Sequence, residues 1–250
     1  MVQILAAPEV INCLDTFPLE DDVPLEGTFP LPNIESDEPE LESSLHLQQI
    51  FLLISCLELL WQEKNDYFAA GNLTVYYKEE QLTKREFRGP DFFVVLGTEK
   101  KHRKSWVVYH EGGIYPHVIV EILSPSTAKV DRTTKKLLYQ NTFRTLNYFW
   151  FHPETLEFEG FILENGKYEE IKPSDRGFLW SDQLGLFLGI HDQKLRYFTE
   201  AGELVPSPDE ARIEARQQAE LANQRAEEAI AHAEKLAAKL RELNIDPEQI

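Results

Sequence analysis

The chain has 250 residues, 42% of them hydrophobic and 27% charged, and its formal net charge is −18. This length suits one medium-sized domain with appendages, and no apolar run approaches the roughly 18 to 20 residues that a membrane helix needs. The short apolar start, Met1 to Ala7, has no basic region and argues against a signal peptide. Two isolated cysteines, Cys13 and Cys56, form neither a disulfide framework nor a metal cluster, so we expect a cytoplasmic protein with reduced thiols.

The negative charge is concentrated at the N-terminus. Residues 1–43 contain eleven acidic side chains, six prolines and no Lys or Arg, a composition typical of an extended or partly disordered arm. The acidic total disfavours nucleic acid as a partner, because phosphate binding needs a basic surface. Residues 100–104 form a basic run, however, and more Lys and Arg lie between residues 78 and 88. A local basic groove is therefore compatible with the sequence.

The central part of the chain alternates between helix and strand patterns. Apolar residues recur at helical spacing from Leu45 to Lys64, which predicts an amphipathic helix capped by Ser43 or Ser44. The Gly71-Asn72 pair predicts a turn before a strand over 73–78. Further strands are predicted at 92–96, 106–109, 117–123, 147–151, 158–163, 167–171 and 195–198. A helix predicted over 131–142 lies between two of these strands, and the strand–helix–strand order implies a parallel crossover.

The C-terminal segment has a different pattern. Ser207 can cap a helix, Pro208 suits its first position, and Glu210 completes a capping box. From Ala215 to Leu243 apolar residues alternate in steps of four and three, which is the seam of a coiled coil, although most of them are Ala. We therefore predict one helix from Pro208 to Leu243 that self-associates weakly or in antiparallel pairs. The alternative is a single solvated helix.

Two carboxylates are candidates for an active site. Asp91 starts an apolar strand, although Pro-Asp pairs are also common in ordinary turns, and Glu121 lies inside the strand 117–123. A Glu buried there is costly unless a core Arg or another cation compensates its charge. If the two acids lie on neighbouring strands and meet at one edge of the sheet, their repulsion favours a cation between them. Oxygen ligands of this kind favour Mg²⁺ or Mn²⁺.

Lys135 is the third candidate. It lies on the predicted helix 131–142, one turn before Tyr139, so the two side chains share a face. If the ammonium group points back to the strand end, it can stabilise charge on a phosphate or orient an attacking water. A helix Lys is otherwise usually solvated, and we expect this for its neighbour Lys136.

Four segments together carry a resemblance to a known family. They are Arg88-Gly89-Pro90-Asp91, Val120 to Thr127, Asp131 with Lys135 and Tyr139, and Asn147-Tyr148-Phe149-Trp150. In these segments the chain resembles the bacterial restriction-endonuclease-like proteins of the Uma-two type, within the PD-(D/E)XK nuclease superfamily, over about residues 40 to 200. The resemblance implies an α/β fold with a restriction-endonuclease-like core, in which helices flank a mixed central sheet, and it implies that Asp91 and Glu121 are metal ligands. The superfamily's lysine usually lies two residues after the acid, which is Leu123 here, so the resemblance implies that Lys135 has taken its place.

We therefore predict three parts, namely an acidic arm over 1–43, a PD-(D/E)XK nuclease-like domain over 44–205 and an Ala/Leu heptad helix over 206–250. The first helix also contains two weaker candidates for the site. Glu58 could supply a further acid, and His46 could reach the site, although we expect a capping or surface role for His46.

The predicted function is metal-dependent endonucleolytic hydrolysis of nucleic acid, with DNA as the first candidate and the choice between DNA and RNA left open. Asp91, Glu121 and Lys135 are the predicted catalytic residues, and Mg²⁺ or Mn²⁺ is the predicted cofactor, held by the two acids. The alternative is a nuclease-fold protein with a degenerate site that acts as an oligomeric binding or scaffold module. In both cases we expect no membrane partner and self-association through the C-terminal helix.

Overall fold

A computed structural model describes residues 43–78, 89–124 and 128–242 of the chain. Residues 1–42 of the acidic arm, Arg88, the stretch 125–127, and Leu243 lie outside the described residues, and the predictions made for them stay predictions. No helix within the described ranges has the length and apolar character needed to cross a membrane.

Three helices and eleven strands make up the described part of the chain. In chain order they are α1 (Ser44–Leu60), β1 (Tyr67–Gly71), β2 (Val75–Tyr76), β3 (Phe92–Leu96), β4 (Trp106–Val107), β5 (Val118–Ile122), α2 (128–143), β6 (Asn147–Phe151), β7 (Phe158–Glu164), β8 (Lys167–Glu170), β9 (Leu179–Ser181), β10 (Leu186–His191), β11 (Lys194–Phe198) and α3 (Pro208–Glu242). Helix α1 ends at a cap on Trp61, a few residues before the predicted Lys64, and Ser43 is its N-cap. A 3-10 turn, Val108–Glu111, replaces the second half of the strand predicted at 106–109.

The central sheet has six strands in the order β1-β3-β5-β6-β7-β8. Strands β5 and β6 are parallel, and the other neighbours are antiparallel. This confirms the predicted mixed sheet and the parallel crossover through the helix between β5 and β6. The continuous apolar runs of β3, β5 and β6 are buried on both faces, as expected of central strands that are covered on each side.

One helix covers each face of the central sheet. Helix α1 packs Leu53 and Leu57 into a core that includes Val118, Val120 and Ile122 of β5. Helix α2 packs its inner side chains on the opposite face of the same strands. Because successive strand residues point to opposite faces, Glu121 lies on the α2 face. The predicted arrangement of a sheet flanked by helices is confirmed.

The first strand differs from its prediction. The strand predicted at 73–78 is only two residues long, and the edge strand of the central sheet is instead β1, which precedes the Gly71-Asn72 pair. Gly71 ends β1 directly beneath α1, where a Cβ atom would collide with the side chain of Ile50. Asn72 adopts a left-handed backbone conformation with φ 48°. The pair thus forms the turn after β1 that brings the chain towards Asp91, whose carbonyl accepts a hydrogen bond from Asn72 N–H at 2.9 Å.

A second sheet, β11-β10-β9, contains two strands that the sequence analysis missed. Gly189 interrupts the apolar pattern of β10, and the structure needs glycine there because a Cβ atom would collide with the ring of Phe178. The sheet packs under α1, where the Gln49 side chain donates to the Leu195 carbonyl at 2.9 Å and accepts from the Leu195 N–H at 3.1 Å.

Helix α3 is continuous over all its described residues, and none of them is buried. The predicted capping box is present, because Glu210 N–H donates to Ser207 Oγ at 3.3 Å and Ser207 N–H donates to Glu210 Oε2 at 2.7 Å. The carboxylate of Glu210 also accepts from the buried Arg196 of β11, which fixes the base of the helix to the core. The predicted helix is confirmed over the described residues, whereas its pairing stays a prediction.

Candidate active site

Asp91 and Glu121 meet at one end of the central sheet. Asp91 immediately precedes β3, and the pairing of Phe92 with Val120 places it opposite Glu121 on β5. Ile122 N–H donates to Asp91 Oδ2 at 2.7 Å, and Asp91 N–H donates to Glu121 Oε2 at 3.3 Å. The Asp91 carboxylate is therefore held by a backbone N–H next to Glu121, and the Glu121 carboxylate by the backbone N–H of Asp91. The pairing of β3 with β5 thus sets the separation of the two carboxylates.

Helix α2 supplies Lys135 to the same point. Its Nζ lies 3.0 Å from Glu121 Oε2 and 2.9 Å from Asp131 Oδ1. Tyr139 OH donates to Glu121 Oε1 at 2.6 Å. The structure thus brings together the three residues that the sequence analysis selected, and it adds Asp131 and Tyr139 to them.

The winding of α2 explains how residues four apart share this face. Short α-helical segments alternate with two π-helical segments, Asp131–Lys135 and Tyr139–Phe143. In a regular α-helix each fourth residue is rotated by about 40° from the one before. The wider π-helical turns, with i→i+5 bonds, offset this rotation, so Asp131, Lys135 and Tyr139 all stay buried against the sheet.

His46 reaches the site from the other face of the sheet. It lies in the first turn of α1, its side chain is 8% exposed, and its Nε2 lies 3.1 Å from Asp91 Oδ1. The cap of the helix is Ser43, whose Oγ accepts from His46 N–H at 3.1 Å. The expected capping or surface role of His46 is therefore wrong, because α1 begins at the same sheet end at which β3 starts.

Glu58 lies outside the site, at the other end of α1. Its carboxylate accepts from Tyr67 OH at 3.3 Å and from Lys100 Nζ at 3.1 Å. Tyr67 pairs with Leu96, at the end of β3 that is far from Asp91. The basic run over 100–104 begins here, so its first residue is at the opposite sheet end from the two carboxylates.

The expectation that Lys136 is solvated is wrong. Its Nζ lies 3.3 Å from the ring centroid of Phe161 and 5.2 Å from that of Trp150, and burial lowers the pKa of Lys136. The helix winding that turns Lys135 towards Glu121 places Lys136 over the next two strands. The exposed lysine of this helix is Lys129.

The site contains more carboxylates than ammonium groups. Burial alone would lower the pKa of Lys135, but the carboxylates of Glu121, Asp91 and Asp131 outweigh it and raise the pKa. Burial raises the pKa of Glu121 well above its usual range, and the charges of Asp91 and Asp131 add to this against the opposing charge of Lys135. Burial also acts to raise the pKa of Asp91, but His46 and Lys135 lower it overall. Three carboxylates thus share one ammonium group, and Glu121 is the acid that is not fully compensated.

The carboxylate oxygens of the two acids are suited to bind a divalent cation. An ionised carboxylate has about four lone-pair sites. Asp91 uses two for Ile122 N–H and His46, and Glu121 uses three for Lys135, Tyr139 and Asp91 N–H. Lone pairs remain on both acids, and Mg²⁺ is commonly held by one or two carboxylates with water completing its shell. No group of three or more His, Cys, Asp or Glu residues suited to a metal ion occurs among the described residues, so the two acids would need those waters.

The sequence of the chain matches a family model over residues 38–191, which is more than half of its length. The family is Uma2, described as "Putative restriction endonuclease". The chain belongs to the Uma2 family. The matched stretch contains Asp91, Glu121 and Lys135 and ends before α3, and it confirms the resemblance noted from the sequence motifs.

Two further comparisons add little to the Uma2 assignment. No curated protein matches the chain. Among solved structures, the chain is similar to the crystal structure of a "putative nuclease belonging to DUF820" from Anabaena variabilis, with 14% sequence identity and a TM-score of 0.41. That similarity covers 59% of this chain and 76% of the other chain.

Two residues of this Uma2 site were underrated by the sequence analysis. Asp131 was noted only as part of the family resemblance, although its spacing of four from Lys135 was a signal for a buried pair. His46 had no such signal, because its contact with Asp91 joins two elements that are far apart in the chain.

Proposed function

We propose that this Uma2 protein is a metal-dependent endonuclease that hydrolyses phosphodiester bonds in nucleic acid, with DNA as the first candidate substrate. In this proposal Asp91 and Glu121 hold Mg²⁺ or Mn²⁺, and Lys135 is the third catalytic residue. The observation that carries the proposal is the surplus of buried carboxylates around a single ammonium group at the sheet end. The description of the Uma2 family supports it.

A divalent ion bound by the two acids would supply a Lewis acid for the phosphate oxygens and a more acidic water. Without a metal, the three carboxylates raise the pKa of Lys135, so it is the charged ammonium form that faces the two acids. Two of its three N–H groups have acceptors, Glu121 and Asp131, which leaves one donor for negative charge that develops on the phosphate. The remaining side chains fix geometry, since Tyr139 orients Glu121 and His46 orients Asp91.

A second candidate is a nuclease-fold protein that binds a partner without cleaving it. The observation that favours it is the position of the basic run, which starts at Lys100 at the opposite sheet end from Asp91. A nucleic acid that contacts only the Asp91 end of the sheet would therefore not contact Lys100. The net charge of −18 points in the same direction.

Plasmid nicking separates the two candidates. We expect cleavage with Mg²⁺ or Mn²⁺, no cleavage in EDTA, and no cleavage by Asp91→Asn with either metal. The matched control is Asp192→Asn, because Asp192 is an exposed acid on another sheet. Metal-independent nicking, or equal nicking by the Asp91 and Asp192 variants, would rule out the proposed enzyme.

We propose further that the acidic arm, the nuclease-like domain and α3 are three separate parts, and that α3 pairs two copies of the chain in the cytoplasm. A pair would allow two sites to act on opposite strands. Sedimentation of the full chain should show a larger species than a version ending at Gln217. That end point keeps Glu210, which bonds the buried Arg196; a version ending at Val205 would remove it. Equal sedimentation of both at tens of micromolar would show that α3 does not pair.

A further inference from the structure

A cavity lies beside His46, the residue that contacts Asp91, on the side where α1 begins. Its volume is about 220 Å³, well above the roughly 10–15 Å³ that one water molecule requires on this measure. Within the part of the chain that the structure describes, the residues lining it are Ser43, Leu45, His46, Leu123, Ser124, His152, Pro153 and Glu154. His46 both lines the cavity and contacts Asp91, and Leu123 follows Ile122 directly, so the cavity opens next to the proposed metal ligands.

His152 presents a hydrogen-bond donor that the protein does not use. The residue follows β6 and is 8% exposed. Its Nδ1 accepts hydrogen bonds from Glu154 N–H at 3.2 Å and Thr155 N–H at 3.3 Å. An imidazole nitrogen that accepts carries no proton, so the neutral ring has its N–H at Nε2. Among the described residues nothing accepts a hydrogen bond from Nε2, and the ring borders the cavity.

The N-terminus of α1 faces the same cavity. Ser43, Leu45 and His46, from its cap and first turn, line the cavity wall. The first N–H groups of a helix have no intrahelical acceptor, and the helix dipole is positive at this end. No acidic side chain lies in the first turn to offset it. A helix start of this kind attracts anions, and together with the Nε2 donor of His152 it points to one with several acceptor oxygens.

We propose that this cavity binds a phosphate group of the nucleic acid next to the one that is cleaved, and that His152 is the positioning residue that donates to it. This inference rests on the proposed nuclease function for its biological meaning, but phosphate binding itself is independent of cleavage. Glu154 at the exposed rim opposes an anion. The affinity for free phosphate is therefore set by the balance between this carboxylate and the donors inside.

The variant His152→Asn tests the donor. An Asn oxygen replaces Nδ1 as the acceptor for the Glu154 and Thr155 N–H groups, whereas the Nε2 donor is lost. The matched control is His191→Asn, at a half-exposed position on β10. The full chain is titrated in EDTA with inorganic phosphate while the imidazole resonances are followed by NMR. We expect saturable shifts of the His152 ring, and a dissociation constant raised about tenfold or more in His152→Asn only.

A second variant keeps the test decisive if His152→Asn does not fold. Glu154→Gln removes the rim charge and keeps the backbone N–H that bonds His152, so phosphate binding should tighten two- to threefold at low salt. Unchanged phosphate binding in both variants would overturn the proposal, and so would the absence of any binding by the unmodified chain.

Nicking kinetics then distinguish this inference from the proposed function. In an active enzyme His152→Asn should raise KM about tenfold and leave kcat within a factor of about three, because the donor positions substrate without touching the reacting atoms. A chain that binds phosphate through His152 but cleaves nothing supports the subsite and refutes the nuclease. A chain that cleaves nucleic acid with the same KM in His152→Asn refutes the subsite and leaves the nuclease intact.

Discussion

Two ion-pair clusters among the described residues, one at the base of α3 and one at the sheet end, differ in their balance of charge. At the base of α3, the guanidinium of Arg196 donates to the two carboxylate oxygens of Glu210 at 3.0 and 2.5 Å, and to the Val205 carbonyl at 3.0 Å. One cation meets one carboxylate there, and the cluster joins the helix to the core.

The cluster at the sheet end has more carboxylates than cations. Lys135 is the buried ammonium, and Asp91, Glu121 and Asp131 all act on its pKa. Uncompensated negative charge in a buried position is costly and is found where a ligand or a proton balances it. The comparison therefore separates a pair whose charges balance within the fold from a group whose charge is balanced by a proton or, as we propose, by a metal ion.

The largest expected effect comes from neutralising the acid that is not compensated. Glu121→Gln removes a metal ligand, so cleavage should fall by about 10³-fold or more, or about 4 kcal/mol in the barrier. Burial has raised the pKa of Glu121, so its ionised form weakens the fold as the pH rises above the usual Glu range. In EDTA at pH 7 the variant should therefore be at least as stable as the parent.

Urea unfolding in EDTA, paired with a nicking assay, measures both quantities. Glu227→Gln is the control, because Glu227 is exposed on α3. If Glu121→Gln is destabilised by several kcal/mol, the Glu121 carboxylate is a structural partner of Lys135. The sheet end then carries no uncompensated negative charge.

The next largest effect comes from removing the cation. Lys135→Met leaves the three surrounding carboxylates without their ammonium, which should lower the free energy of unfolding by about 3–5 kcal/mol. Divalent metal should restore part of this stability, because it takes over the compensation, but turnover should stay lost. Urea unfolding with and without Mn²⁺ measures the effect.

The control for this lysine is Lys129→Met, on the exposed side of α2, which should change stability by less than about 0.5 kcal/mol. Lys136 is unsuitable because it packs on Phe161. Equal turnover in the Lys135 and Lys129 variants would show that the catalytic lysine has been misassigned.

The smallest effect is expected at the balanced pair. Glu210→Gln should lower the free energy of unfolding by about 1–2 kcal/mol, since Arg196 is buried but Glu210 is 46% exposed. The hydrogen bond from Arg196 lowers the pKa of Glu210 to about 2. The contribution of this pair to the free energy of unfolding is therefore present above the usual pKa of Glu and is lost as the pH falls through about 2.

Urea unfolding at pH 7 and at pH 3 follows this change. The difference in free energy of unfolding between the parent chain and Glu210→Gln should become smaller at the lower pH. Cleavage at pH 7 should be the same in both. A difference in free energy of unfolding that grows on acidification would contradict the pairing of Glu210 with Arg196.

The sequence predicted mainly those features that depend on a local residue pattern. Strand β6 and helix α3 follow from local patterns, and the adjacency of Asp91 and Glu121 followed from two apolar runs that each carry one acid. Strand β10 was missed because Gly189, which the ring of Phe178 requires, breaks its pattern.

The site was predicted less completely, for a related reason. Asp91, Glu121 and Lys135 could be selected because an acid in an apolar run and a lysine on the following helix are visible in the sequence. The role of His46 depends on where α1 starts relative to β3. The packing of the half-buried Lys136 on Phe161 depends on the π-helical winding of α2. Neither is a local property of the chain.

The most direct test of the charge comparison is the number of Mn²⁺ ions that the full chain binds. Electron paramagnetic resonance of free Mn²⁺ during a titration gives this number without requiring cleavage. We predict one ion per chain at the sheet end, at least tenfold weaker binding in Asp91→Asn and Glu121→Gln, and unchanged binding in Glu210→Gln. No bound Mn²⁺ in the unmodified chain, or equal binding in Asp91→Asn, would contradict the proposal that the carboxylate surplus is a metal site.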